Sequence, residues 1–128
     1  MFTFSGDKAR FTAKGDGTVA DAFLGLTWQQ GDSGKGYTWA EAKTYCTNLV
    51  LAGTGWRLPT VCELKSLVDM SQPVGNKIAA PFQNSNPWFW SATAYQPSPS
   101  SGAWLVSFDY GYSNFNGVAD NYRVRCVR

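Results

Sequence analysis

Trp104, Val106 and Phe108 alternate with Leu105, Ser107 and Asp109, and a two-residue period is the mark of a strand with one buried face. The alternation predicts the even positions inward and Leu105, Ser107 and Asp109 outward. At the end of the chain Tyr122, Val124 and Cys126 alternate with Arg123, Arg125 and Val127, which predicts a second strand of the same character. Between the two lies 109–121, rich in Tyr, Asn, Ser and Gly. Tyr offers a large rigid contact area with a polar tip, while Ser, Asn and Gly give adaptable hydrogen bonding, the mixture that antibody loops use. The expectation is a recognition surface held between two core strands.

A chain of 128 residues fits one domain with its own core. Six tryptophans are mostly core material, because aromatics dominate buried area. A net charge of +2 is too small to imply nucleic acid or an anionic membrane as partner. No apolar run is long enough to span a bilayer, and residues 1–7 have no basic segment followed by an apolar one, so no signal peptide is expected in the chain. Histidine is absent, which removes the commonest general base and the commonest zinc ligand. Cys46, Cys62 and Cys126 have no metal-site spacing, so no cofactor or metal is expected. One disulfide with a free thiol and three reduced thiols both remain open.

Along the chain, Phe2, Phe4 and Phe11 are candidate anchors of an edge strand. Asp16-Gly17 reads as a tight turn, followed by two short strands at 18–21 and 26–30 around Gly25. Gly31-Asp-Ser-Gly-Lys-Gly36 lacks the first glycine and the hydroxyl of a phosphate loop, and reads as a surface loop. Thr38 with Glu41, and Thr60 with Glu63, are capping boxes that open two helices. The first buries Ala42, Tyr45, Cys46, Leu49 and Val50 and stops at Gly53. The second carries Leu64, Leu67 and Val68 inward and ends near Met70. The capping roles explain Glu41 and Glu63 without invoking a catalytic pair.

Residues 71–87 are rich in Pro, Gly and Asn and read as a long loop pinned by Phe82 and Trp88, before a short strand at 89–93 with Trp90 inward. Between Ile78 and Tyr122 there is not one Lys, Arg or Glu, a depletion typical of interface cores.

Arg10-Phe-Thr, Gly15-Asp-Gly-Thr-Val19, Thr38-Trp39 with Tyr45-Cys46, Trp56-Arg-Leu-Pro-Thr60 with Glu63-Leu64, Phe89-Trp-Ser-Ala-Thr93, Ala103-Trp104 with Val106 and Phe108, and Arg123-Val-Arg-Cys-Val-Arg128 together resemble the Lcl C-terminal domain family. The resemblance runs over nearly the whole chain. It implies an α+β, C-type-lectin-like fold, with two helices packed on small antiparallel sheets and long loops, as a single domain over 1–128. It also implies a disulfide between the first helix and the last strand, here Cys46 with Cys126, leaving Cys62 over.

One branch of that family comprises the variable proteins of diversity-generating retroelements, in which a reverse transcriptase rewrites adenines of the coding sequence. Residues 89–128 resemble such a variable, ligand-binding region. An asparagine codon randomised at its first two bases can yield Tyr, Ser, Asn, Asp, Phe and Leu but never Lys, Glu, Gln, Met or Trp. Leu105, Ser107, Asp109, Tyr110, Tyr112, Asn114, Phe115 and Asn116 belong to the permitted set, whereas Gln96 does not.

The resemblance therefore implies a non-catalytic module that binds a protein or glycan on another cell or particle and acts at a cell surface, on a virion or after secretion; the Glu-Pro-Asn, Gln-Pro-Asp and Trp-Asn-Asp motifs of calcium-dependent lectins are missing, so no calcium is expected. Its expected site is Phe89, Tyr95, Leu105, Ser107, Asp109, Tyr110, Tyr112, Asn114, Phe115 and Asn116. Trp104, Val106, Phe108, Val124 and Cys126 would be fixed scaffold. The alternative from the adhesin side of the family, recognition of sulfated glycans, needs a basic cluster that the region lacks before Arg123. An enzymatic reading by way of the formylglycine-generating proteins needs paired reactive cysteines.

Overall fold

Asp16 folds its carboxylate back onto Thr18, accepting from the backbone N–H at 3.0 Å and the hydroxyl at 2.6 Å, while Gly17 supplies a φ of +89°. This turn, in a computed structural model that describes residues 9–128, joins β1 (Phe11–Ala13) to β2 (Thr18–Asp21). β2 in turn pairs with β3 (Leu26–Gln29), giving an antiparallel sheet of order β1-β2-β3. Phe2 and Phe4 lie outside the described residues. The Asp21 carboxylate, fully buried, fixes the bend after β2. It takes both arms of the Arg10 fork at 2.9 Å, the Trp28 indole N–H at 3.0 Å and the backbone N–H groups of Phe23 and Leu24.

Both capping boxes form. Thr38 and Glu41 open α1 (Trp39–Asn48), and Thr60 and Glu63 open α2 (Val61–Lys65). Glu63 also receives the Arg57 fork, both contacts at 2.9 Å. α1 ends earlier than Gly53: Leu49 is already extended, so Val50 leaves the helical phase and is 75% exposed instead of buried. α2 is likewise shorter than its pattern suggests, yet Leu64 and the turn residue Leu67 are fully buried.

The second sheet consists of β4 (Trp88–Ala94), β5 (Gly102–Ser107) and β6 (Tyr112–Gly117), in the order β4-β5-β6. It separates two cores. Phe89 and Val106 face one, with Val19, Trp28, Leu64, Leu67 and Phe108. Trp90, Ala103 and Leu105 face the other, with Ala42, Cys46, Trp56 and Val124. Each fully buried Leu, Val or Phe contributes about 1.5–3 kcal/mol, so β5 is held from both sides.

The end of the chain is not the strand partner of β5. That place is taken by β6, inside the stretch whose composition suggested a loop. Residues 122–128 instead run between the two sheets, bridging Tyr122 to Tyr37, Arg123 to Phe89, and Val127 to Trp28 and Arg57. With neighbours on both sides there is no outward phase, and Val124, Arg125, Cys126 and Val127 are all buried. Cys126 is bonded to Cys46 of α1, the Cα atoms 5.5 Å apart across 80 residues of sequence. Cys62 is a free, exposed thiol.

Arg125 is the most unusual core residue. Its guanidinium donates to the carbonyls of Gln29, Gln30, Gly31 and Gln83 and to Asn84 Oδ1 at 2.7–3.0 Å. Its plane lies over the rings of Phe82 and Phe89, at 5.1 and 4.9 Å from the centroids. One side chain thereby stitches the loop after β3 to the segment that leads into β4.

Candidate ligand-binding site

Register decides which side chains share a face. Ser107 lies opposite both Trp88 and Tyr112, Leu105 opposite Trp90 and Asn114, and Ala103 opposite Asn116, so these eight point to the α1 side. Val106 lies opposite Phe89 and Ser113, and Trp104 opposite Phe115, so these point to the α2 side. The expected site residues therefore divide between two faces and a turn.

Three of them are corrections. Phe89, Leu105 and Ser107 are fully buried, because β5 is the central strand of a sheet packed on both sides and β4 is covered by the end of the chain. The alternation along 104–109 predicts one buried face, whereas the unbroken apolar run Ala103-Trp-Leu-Val106 is the pattern of a strand covered on both. Phe108 is buried as expected, and Trp104 is only partly so.

The other seven reach the surface. Tyr110 is 56% exposed, and Tyr112 and Phe115 are each 42% exposed, while Tyr95, Asp109, Asn114 and Asn116 are half-buried. Tyr110 sits at the tip of the turn at 108–111. The turn is closed by Gly111 N–H to Ser107 O at 2.9 Å and tied to a neighbouring loop by Lys77 N–H to Phe108 O and Gly75 N–H to Asp109 O. Gly111 has a φ of +84°, and a Cβ there would stand 2.6 Å from Met70 Sδ, so the turn accepts no other residue without moving Met70.

On the α2 side Tyr95 stacks on Phe115 with centroids 3.8 Å apart, and Trp104 meets Phe115 edge-on at 5.4 Å. On the α1 side Trp88 stacks against Tyr122 at 6.1 Å and meets Tyr112 edge-on at 6.5 Å. Around them Asn86, Asn116 and Asn121 complete a concavity of about 270 Å³ with Trp88 and Tyr122. Asn116 Nδ2 donates to the Tyr122 hydroxyl at 2.8 Å. Burial, and then the nearby charge of Asp120, push that hydroxyl above the ordinary tyrosine range, so it keeps its proton as a donor.

Trp88, Tyr122, Asn86 and Asn121 belong to this surface and were not among the expected site residues. The sequence pattern assigns Trp88 to pinning the loop before it and Tyr122 to the inward phase of the last strand, and counts Asn86 among the breakers of that loop. A larger groove of about 590 Å³ runs along α1, lined by Tyr37, Ala40, Thr44, Tyr45, Leu49 and Val50 among others. Its one carboxylate, Glu41, is occupied in the helix cap.

The model of the Lcl C-terminal domain family matches residues 17–128. The chain belongs to that family. A search of the curated proteins finds no match. In this Lcl C-terminal domain the matched stretch takes in both helices, both β2 and β3 of the first sheet, the whole second sheet and the disulfide. The surface just described is thus built entirely on the family's own framework.

Proposed function

We propose that this Lcl C-terminal domain is a C-type-lectin-like, non-catalytic recognition module, the variable protein of a diversity-generating retroelement. Its ligand is a protein or glycan on another cell or particle, bound through β6 and the turn before it. The observation that carries the reading is a contrast within one hairpin. Leu105, Val106 and Ser107 of β5 are fully buried, whereas Tyr110, Tyr112 and Phe115 are 42–56% exposed. Rigid exposed aromatics provide contact area at low entropic cost and supply a disproportionate share of binding energy. Side chains on β6 can change without disturbing a core to which β5 is already committed.

Tyr110, Tyr112, Asn114, Phe115 and Asn116 also fall within the residue set open to a randomised asparagine codon. A role at a cell surface, on a virion or after secretion follows from a ligand on another particle. Absence of histidine and the capping duties of Glu41 and Glu63 support a role without catalysis. The sulfated-glycan alternative gains nothing from the local charge: Asp109 and Asp120 are the ionisable side chains of 109–121 other than tyrosine, and both are acidic.

The genetic test is the neighbourhood of the coding sequence. A reverse-transcriptase gene with a second copy of the last third of the coding sequence, differing only at adenines, is the expected result. A locus with neither contradicts the retroelement reading. The binding test is the double variant Tyr110→Ala/Tyr112→Ala, which is expected to keep the fold and lose capture of the target cell or particle. Retained capture would place the site elsewhere.

A further inference from the structure

Four of the six indole N–H groups are spent inside the fold: Trp28 donates to Asp21, Trp39 to the Ser91 carbonyl, Trp56 to the carbonyls of Leu51 and Gly53, and Trp90 to the Tyr37 carbonyl. Trp88 and Trp104 have no such partner among the described residues. Trp88 stands in the concavity on the α1 side of the terminal sheet, beside the stacked Tyr122 ring.

The polar groups around it are amides with capacity to spare. Asn86 uses its Oδ1 to accept from the Trp88 backbone N–H at 3.1 Å, and its Nδ2 donates to none of the described residues. Asn116 uses its Nδ2 on Tyr122, and its Oδ1 accepts from none of the described residues. Asn121 is exposed and makes no side-chain hydrogen bond among the described residues. The lining thus offers amide donors and acceptors, a tyrosine hydroxyl and two aromatic rings, one of them an indole whose N–H has no partner among the described residues, and none of the described residues that line it is charged.

That inventory selects against most ligand classes. An anion finds no cation on the lining and Asp120 close by. A cation finds no carboxylate on the lining. A purely apolar side chain would leave the indole N–H and three amides unpaired, at about 1–3 kcal/mol for each buried group. A ring with an apolar face and a rim of hydroxyls, each both donor and acceptor, satisfies every group at once. The volume, about 270 Å³, is below that of pockets for drug-sized molecules, about 300–1,000 Å³, and suits one such ring.

The geometry points to a subsite for an uncharged sugar ring at Trp88 and Tyr122, bound by stacking and amide hydrogen bonds without a metal ion. The inference rests on the recognition role proposed above and names the ligand chemistry of one part of that surface. The turn at Tyr110 lies outside it and would contact whatever carries the sugar.

The test is saturation-transfer NMR of the intact protein, in the presence of chelator, with methyl glycosides of glucose, galactose, mannose and N-acetylglucosamine, and with heparin as the charged comparison. At least one neutral glycoside is expected to bind. Asn121→Ala is expected to weaken it about three- to tenfold, the loss of about one hydrogen bond, and Trp88→Leu to abolish it. Cys62→Ser, at an exposed position of α2 remote from the concavity, should leave it unchanged. Because Trp88 also packs on Tyr112 and Tyr122, the exposed Asn121 variant carries the result if Trp88→Leu fails to fold.

No binding by any neutral glycoside overturns the inference, as does binding unaffected by Asn121→Ala or binding of heparin alone. Loss of target capture in Tyr110→Ala/Tyr112→Ala with no glycoside binding would overturn the sugar subsite and leave the recognition role standing. Glycoside binding with undiminished target capture in that double variant would uphold the sugar subsite and move the contact with the target away from Tyr110 and Tyr112.

Discussion

The Arg125 guanidinium donates to the Gln83 carbonyl at 2.7 Å from a position completely removed from solvent. None of its hydrogen-bond acceptors among the described residues is a carboxylate. Burial pulls its pKa down to about 9, against the opposing charge of Asp32, so it remains protonated at neutral pH. The charge is dispersed over four carbonyls and an amide instead of being paired, and Asn86 of the proposed subsite follows closely on the Gln83–Asn84 anchor.

Replacing Arg125 by Met keeps much of the volume but strands several buried carbonyls, each costing about 1–3 kcal/mol if water cannot reach it. The expected loss is at least about 3 kcal/mol in urea unfolding, accompanied by faster amide exchange at 83–86. An unchanged midpoint would mean that the stitch does not hold the loop.

The bond between Cys46 and Cys126 closes a long loop, 80 residues of sequence, for which chain-entropy arguments give about 4 kcal/mol and measured values commonly about 2–4. Cys46→Ala/Cys126→Ala is expected to lose stability in that range. Cys62→Ser, at an exposed first-turn position, should stay within about 0.5 kcal/mol of the parent. Under native conditions an alkylating reagent should modify one thiol per chain.

Acid stability has an identifiable source in Asp21. Burial opposes its ionisation, but hydrogen bonds from Arg10, Trp28 and the Leu24 backbone outweigh that and hold its pKa at about 2. The unfolded value is about 3.9, so the carboxylate is worth about 2 kcal/mol above pH 4. That contribution is lost as the pH falls from about 4 through about 2. Asp21→Asn should remove this part of the pH dependence. A variant whose stability between pH 2 and 5 parallels the parent's would contradict the assignment.

Ser107, one of the expected ligand contacts, has its Oγ buried with no hydrogen-bond partner among the described residues. Ser107→Ala deletes an unsatisfied hydroxyl at little cost in packing, so stability should rise by about 1 kcal/mol with target binding unaltered. A drop in binding would return Ser107 to the site.

Much of the framework was legible because it rests on local chemistry. Two Thr/Glu capping boxes, an Asp-Gly turn and a helical apolar stripe each name their own structure, and the family motifs added the Cys46–Cys126 pairing. The terminal sheet was harder to read. Period-two alternation cannot tell a strand with one wet face from one buried twice, and Leu105 lies under α1 only because distant residues bring that helix there. Nothing in β6 announces a strand, because Tyr, Ser, Asn and Gly lack strand-like apolar alternation, although pairing with β5 needs only backbone groups. The burial of Arg125 is illegible for the same reason: nothing near it in sequence announces the four carbonyls, from residues 29, 30, 31 and 83, that surround it.

The division between a committed β5 and a replaceable β6 is tested most directly by two libraries. In one, Tyr110, Tyr112, Asn114, Phe115 and Asn116 are randomised together; in the other, Phe89, Leu105 and Ser107. Each is scored for the fraction of members that resist proteolysis. Most members of the first library are expected to remain folded and few of the second, since truncating a core Leu or Phe costs about 2–5 kcal/mol. Equal survival of the two, or collapse of the first, would contradict the proposed separation of scaffold from binding surface.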